Sequence, residues 1–167
     1  PARVVTAQVR LPRARYRAPA AKLDFSRRLL ARLHGDPAVR SAAMSTGIPL
    51  STAAVGTIDV DRRQLRDAVA VFTAVTDGYF NVLGLPLVRG RLLGDASGDA
   101  KDGVVVNEAF VRAFLRDVDP IGHTVSYYGE SSIGRIVGVV GDARQSGLAR
   151  ATQPEIYEAL ERDPQEQ

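Results

Sequence analysis

The chain has 167 residues, of which 45% are hydrophobic; this suffices for one packed domain or two small lobes and removes disorder as the default. It holds no cysteine, which excludes disulfides, thiolate zinc sites and cysteine nucleophiles. Net charge is +3 and the pI about 9.6, but the arginines are scattered among acids and no aromatic-basic interleaving marks a nucleic-acid surface, so no nucleic-acid partner is expected.

No run reaches the roughly 18 apolar residues of a membrane span. The chain opens at Pro1 with no charged-then-apolar leader, so a segment of a longer protein is expected, with no signal peptide in view. There is no internal repeat.

Residues 4–11 alternate Val4, Thr6, Gln8 and Arg10 against Val5, Ala7, Val9 and Leu11, the pattern of a half-buried strand. Pro12 ends it. Pro19 opens a helix over 20–33 at a position where a missing N–H costs nothing. At 100° per residue Leu23, Phe25, Leu29, Leu30 and Leu33 span an arc of roughly 160°, so one face is expected to pack on a sheet. Arg27, Arg28 and Arg32, on or beside the other face, read as solvated surface or as a contact for a lipid headgroup or partner. Gly35 and Pro37 stop the helix, and 39–45 reads as a second strand, giving a βαβ-type unit.

Strands follow at 55–60 and 69–75, with 61–67 a charged connector. Thr76 or Asp77 is the expected cap of a short helix carrying Phe80 and Leu83 on one face. Gly84 suits its left-handed closing residue. Leu85, Leu87 and Val88 then read as a short buried strand ending at Gly90. The polar loop 94–103 carries Asp95, Asp99 and Asp102, but lacks the alternate oxygens and late Glu of a calcium loop, so no metal is expected.

Residues 103–114 read as a strand entering a helix, with Asn107 its cap and Glu108 at its positive end. The pairs Phe110–Phe114 and Val111–Leu115 face the core. A turn at Asp119-Pro120-Ile121-Gly122 leads to strands at 124–128 and 133–140, the latter apolar and β-branched enough to be central. A short last strand at 154–160 precedes a polar tail, 161–167.

No reaction centre stands out. There is no Gly-Lys-Ser/Thr loop to cradle phosphates, and the glycines Gly138 and Gly141 before Asp142 lack the dinucleotide pattern and suit close strand packing, so no cofactor is expected. Gly129 to Gly134 is one residue too long for a nucleophile elbow. His34 sits where it favours a helix dipole, and His123 follows a turn. A hydrolase using Ser131 or Ser132 with His123 is the remaining catalytic alternative.

GYFNVLGLPLVRGR (78–91), VVVNEAFVRAF (104–114), DPIGHTV (119–125), IVGVVGDARQSGL (136–148) and PEIYEAL (154–160), with LPRARY (11–16) and PLS (49–51), resemble the successive motifs of the extracytoplasmic core domain of MacB-like and FtsX-like ABC transporter permeases, in the form found in acidobacterial-type permeases. The resemblance spans about residues 4–160. It marks Gly78, Tyr79, Phe80, Gly84, Gly90, Asn107, Asp119, Pro120, Gly122, Gly138, Gly141 and Asp142 as signature positions of structural character, with no catalytic, cofactor or metal residue.

The resemblance implies an α+β fold of two lobes: a porter-like βαβ lobe, whose first half is residues 1–52 and which is incomplete here, and a mixed α/β inserted lobe over 53–160. It implies a non-enzymatic domain on the periplasmic side of the bacterial inner membrane, partnered by its own permease's transmembrane helices, a separate ATPase and a periplasmic protein, and dimeric only in the full transporter. Its role there is to couple ATP-driven motion to export or partner handling. The alternative is a free-standing periplasmic ligand-binding or chaperone-like α+β domain.

Overall fold

Hydrogen-bonded pairing closes the strands into a ring. The computed structural model describes residues 4–12, 14–46, 54–94, 103–127, 132–142 and 152–161. The elements are α1 (Pro19–His34), β1 (Ala54–Val60), β2 (Arg63–Val75), α2 (Tyr79–Leu83), β3 (Leu87–Gly90), β4 (Gly103–Asn107), α3 (Glu108–Phe114), β5 (Thr124–Tyr127), β6 (Ser132–Val140) and β7 (Glu155–Ala159). The sheet order is β3-β6-β4-β7-β2-β1-β5, and β5 pairs again with β6. Six strands therefore form a closed barrel, with β3 attached outside it. β6 permits this because its first half pairs with β5 and its second half with β3 along one edge, while β4 runs parallel on the other. The fold is α+β, as expected.

The barrel interior is one apolar cluster: Ile58 and Val60 from β1, Ala68, Ala70 and Phe72 from β2, Val104 and Val106 from β4, Val125, Ile136 and Ile156. Phe110 and Leu115 of the α3 segment join it, so α3 fills one end. Phe110 and Phe114 stack edge to face at 5.0 Å. A second cluster lies outside the barrel wall, where Val75, Val105, Val140 and Tyr157 meet Tyr79 and Phe80 of α2 and Leu93. Period-2 alternation makes this possible, since successive strand residues face opposite sides and both faces are covered here.

Several expected elements differ. Residues 4–11 form no strand, and they are exposed except at Leu11, with Val5 90% exposed. Residues 39–45 form none either, apart from a single bridge between Ser45 and Val75. Alternation supplies a face, but a strand also needs a neighbour's edge; among the described residues no ladder forms on 4–11, and 39–45 has only the Ser45–Val75 bridge. The α1 helix forms as expected, yet its apolar arc does not seal on a sheet: Ser26 is its buried residue, and Leu23, Phe25, Leu29, Leu30 and Leu33 are half-buried.

The charged stretch 61–67 is not a connector. Asp61 and Arg62, with φ 51° and 60°, make a two-residue left-handed hairpin turn, and β2 begins at Arg63, opposite Val60. Charge on an outer face does not prevent backbone pairing. β3 is exposed along its whole length rather than buried, because it lies outside the ring. The α2 helix is capped by Gly78 with φ 83°, without a side-chain cap from Thr76 or Asp77. Thr76 is engaged elsewhere, as described below. Gly84 closes α2 with φ 68°, and Leu83 packs on the second cluster only half-buried.

Candidate functional site

Three groups of polar side chains among the described residues fasten elements of the barrel together. The first lies behind α2. Glu155 opens β7, and β7 runs parallel to β2, which sets Glu155 beside Val71 and Thr73. Its Oε1 accepts from Thr73 Oγ1 at 2.9 Å and its Oε2 from the Tyr157 hydroxyl at 2.8 Å. All three are buried. Its backbone N–H donates to Asn107 Oδ1, which also accepts from Phe110 N at 2.9 Å and so caps α3; Asn107 Nδ2 donates to Gln153 O. One fully buried amide thus ties β4, α3 and the start of β7, satisfying groups that would be costly to bury bare.

Tyr79, Phe80 and Tyr157 close this network with ring centroids 5.1 to 6.1 Å apart. Burial, then the Glu155 charge, pushes the Tyr79 hydroxyl up to about 12, opposed by a hydrogen bond with Ser45. Tyr157 is raised for the same two leading reasons.

The second place is the hairpin corner. The Asp61 carboxylate accepts from Thr124 N at 3.0 Å, from Thr124 Oγ1, and has His123 Nδ1 2.5 Å from its Oδ2. It pins the β1–β2 turn to the start of β5, where the barrel closes. The Thr124 N–H, ahead of the histidine contact, holds the Asp61 carboxyl below its ordinary value. Beside it Asp119 accepts from Ile121 N and Arg89, and its carboxyl is lowered first by the Ile121 N–H. The third place is the α3 start, where Asp142 accepts from Ala109 N at 2.8 Å and from Arg112.

The signature positions fall into these groups. Tyr79 and Phe80 line the aromatic cluster. Asn107 and Asp142 serve α3, and Asp119, the buried Pro120 and Gly122 (φ 94°) shape the turn into β5. Gly90 and Gly138 are cross-strand partners, and a Cβ on Gly90 would meet Val137 O while one on Gly138 would meet Arg91 O. A Cβ on Gly141 would press the Pro86 ring at 3.0 Å. These glycines let β3 lie against β6.

His123 therefore pairs with a carboxylate, and the backbone of Ser132, the one described serine of the two weighed for a triad, lies away from it. Ser132 stands opposite Ser126 in the ladder, whereas Thr124 stands opposite Arg135, a separation of about 10 Å along β6. Ser131, Asp95, Asp99 and Asp102 lie outside the described residues. Among the described residues no group of three or more His, Asp or Glu could hold a metal. His34 Nε2 contacts Ala42 O at 3.2 Å, holding the loop after α1. Sequence reasoning missed Glu155, Thr73 and Asp61. The i, i+2 placement of Glu155 and Tyr157 on one strand face was the available signal.

Such an arrangement defines a barrel-based α+β domain braced by one buried polar network and two surface ones. The family model described as the MacB-like periplasmic core domain matches residues 3–160, and the chain belongs to that family. The periplasmic region of MacB from Actinobacillus actinomycetemcomitans superposes with a TM-score of 0.58 at 23% identity, covering 80% of this chain and 54% of that one. The extracellular domain of the noncanonic ABC-type transporter YknZ from Gram-positive bacteria gives 0.55 at 18% identity, covering 81% and 63%. At these identities the likeness is one of fold, and the chain spans between half and two thirds of the length of either structure. No curated protein matches the chain. No described helix is long and apolar enough to cross a membrane.

Proposed function

We propose that this chain is the non-catalytic extracytoplasmic part of an ABC permease in the inner membrane, where it passes motion driven by a separate ATPase to an exported substrate or a periplasmic partner protein. The observation that carries the reading is the family match over residues 3–160. In this reading residues 1–52 belong to a porter-like lobe, residues 53–160 are the inserted lobe, and the domain dimerises with the full transporter.

The connection between the two parts supports a mechanical role. Met44 and Thr76 clasp each other: Thr76 N donates to Met44 O and Met44 N to Thr76 Oγ1, at 2.9 and 2.8 Å. Thr46 repeats the pattern with Ala74, and Arg27 of α1 meets Glu161 just past β7. A narrow clasp of this kind transmits force along β2 into the α2 corner.

The test uses the absence of cysteine from these 167 residues, any cysteine elsewhere in the full permease being replaced first. Arg27→Cys and Glu161→Cys, introduced into the full permease and joined by a reducible cross-linker, are expected to abolish export while ATP turnover continues, with export regained on reduction. Undiminished export by the cross-linked transporter would remove the coupling reading. The isolated chain should give no saturable heat with Mg-ATP.

A further inference from the structure

The segment that joins the N-terminal part to the barrel is held by hydroxyls as well as by backbone. Ser45 bridges Val75 antiparallel, with Met44 opposite Thr76 and Thr46 opposite Ala74. In an antiparallel ladder two opposed residues exchange both of their N–H···O=C bonds. Here each pair keeps one backbone bond, Thr76 N to Met44 O and Thr46 N to Ala74 O, both at 2.9 Å. The return bond runs to a side chain: Met44 N donates to Thr76 Oγ1 at 2.8 Å, and Ala74 N to Thr46 Oγ1 at 3.0 Å. The Thr76 hydroxyl also donates to Met44 O at 3.3 Å.

The Thr76 carbonyl is committed elsewhere. It accepts from Tyr79 N at 3.2 Å, where the chain enters α2. The Val75 carbonyl faces the other way and accepts from Leu160 N, just past β7, at 2.8 Å. The chain therefore leaves the ladder at Thr76, and the hydroxyl takes the place of the departed carbonyl. Across the same corner the Tyr79 hydroxyl bonds to Ser45. Residues 44–46 thus hold the end of β2 and the first residue of α2 together.

Side-chain acceptors carry positional information that backbone bonds lack, because a strand shifted by two residues keeps its faces and can re-form its ladder. Shifted one way, Met44 would face Ala74, which has no hydroxyl, and Thr46 would face Phe72, which is already opposite Ala54 of β1. Shifted the other way, Met44 would face Gly78, whose φ of 83° turns the chain into α2. The observed register alone of these three gives both Met44 N and Ala74 N a hydroxyl acceptor. We propose that Thr46 and Thr76 are positioning residues, a two-point key that fixes the register in which the N-terminal part is attached to the barrel at the α2 corner. Threonine suits this task because its branched Cβ restricts χ1 and so aims the hydroxyl. The key itself is a property of the fold. Its consequence for export rests on the coupling role proposed above, since a slack junction would let the N-terminal part move without moving α2.

The test joins two measurements. In the 167-residue chain, amide exchange is expected to quicken about fivefold at Met44 in Thr76→Val and at Ala74 in Thr46→Val, the factor that one net hydrogen bond gives. Thr76→Ser and Thr46→Ser, which keep the hydroxyl, should stay near the parent. Thr57→Val, on the exposed side of β1, should alter neither amide. In the full permease, the double variant Thr46→Val, Thr76→Val is expected to lose most of its export per ATP hydrolysed while ATP turnover continues, and the double serine variant to retain it. Unchanged exchange in the valine variants, or serine variants as fast as the valine ones, would overturn the key. So would equal quickening throughout β4 and β6, which would mark a general loss of stability. Quickened exchange at Met44 and Ala74 with export per ATP intact would overturn the positioning role. Failure of the cross-linking test above, with the exchange pattern as expected, would remove the coupling reading and leave the key in place.

Discussion

Residues 4–46 and the barrel from 54 to 161 contain similar sequence patterns and reach different degrees of closure. In the barrel each alternating strand finds two neighbours, and its inward apolar residues are sealed: Val104, Val106, Phe110, Val125 and Ile136 are all 0% exposed. In the N-terminal part the same alternation at 4–11 finds no edge among the described residues, and the leucines of α1 stop at half-burial. The contrast shows that a hydrophobic pattern is only an offer of a surface. Closure depends on strands arriving from distant parts of the chain, as β7 does when it fits between β2 and β4.

The comparison breaks if the two parts unfold alike. Phe110→Ala should cost about 3–5 kcal/mol in denaturant unfolding, because it empties a filled barrel end, and Leu30→Ala only about 1 kcal/mol. Native-state hydrogen exchange should accordingly be slower in β4 and β6 than in α1. Equal costs, or slower exchange in α1, would mean that the N-terminal part is as closed as the barrel.

A smaller effect sharpens the picture at the junction. Tyr79 is raised to about 12 in the folded chain against an ordinary 10, so its neutral form is favoured. The stability this contributes, on the order of 2 kcal/mol, is complete below pH 10 and is lost as pH rises from 10 through 12. Glu155→Gln removes the neighbouring charge and should shift the alkaline absorbance transition of Tyr79 downward. An unchanged transition would show that burial alone sets it.

The smallest effect tests the barrel seam. The Asp61 carboxyl is lowered in the folded state, so its contribution is present above about pH 4 and is lost as pH falls through the folded value. Asp61→Asn should cost under about 1 kcal/mol at neutral pH, since the side chain is largely solvated, and should flatten the acid limb of the stability curve. An unaltered acid limb would remove Asp61 from the closure of β1 on β5.

Much of the chain was legible locally. Helix α3 and its Asn107 cap follow from a short oxygen-bearing residue before an i, i+4 apolar pair. Gly84 follows from the left-handed residue that ends a helix, and α1 from Pro19 and the leucine spacing. The family resemblance was carried by the order of motifs around Tyr79-Phe80, Asn107 and Gly138. The buried network was not legible: Glu155 reads as a surface charge until β2 and β4 supply the Thr73 hydroxyl and the Asn107 amide beside it.

The sequence by itself determined which residues prefer to be helical and which turns need a left-handed glycine, because these depend on neighbours within a few positions, and it carried the family in the order of its motifs. Only the tertiary structure decided that 63–67 continue a strand and 4–11 do not, that β3 lies outside a closed ring, and that Asp61 meets His123. Those outcomes depend on which hydrogen-bonding edge each segment meets: Val60 opposite Arg63 across a tight turn, Val140 opposite Leu87, and His123 and Thr124 beside Asp61; no local pattern specifies which edge will be free.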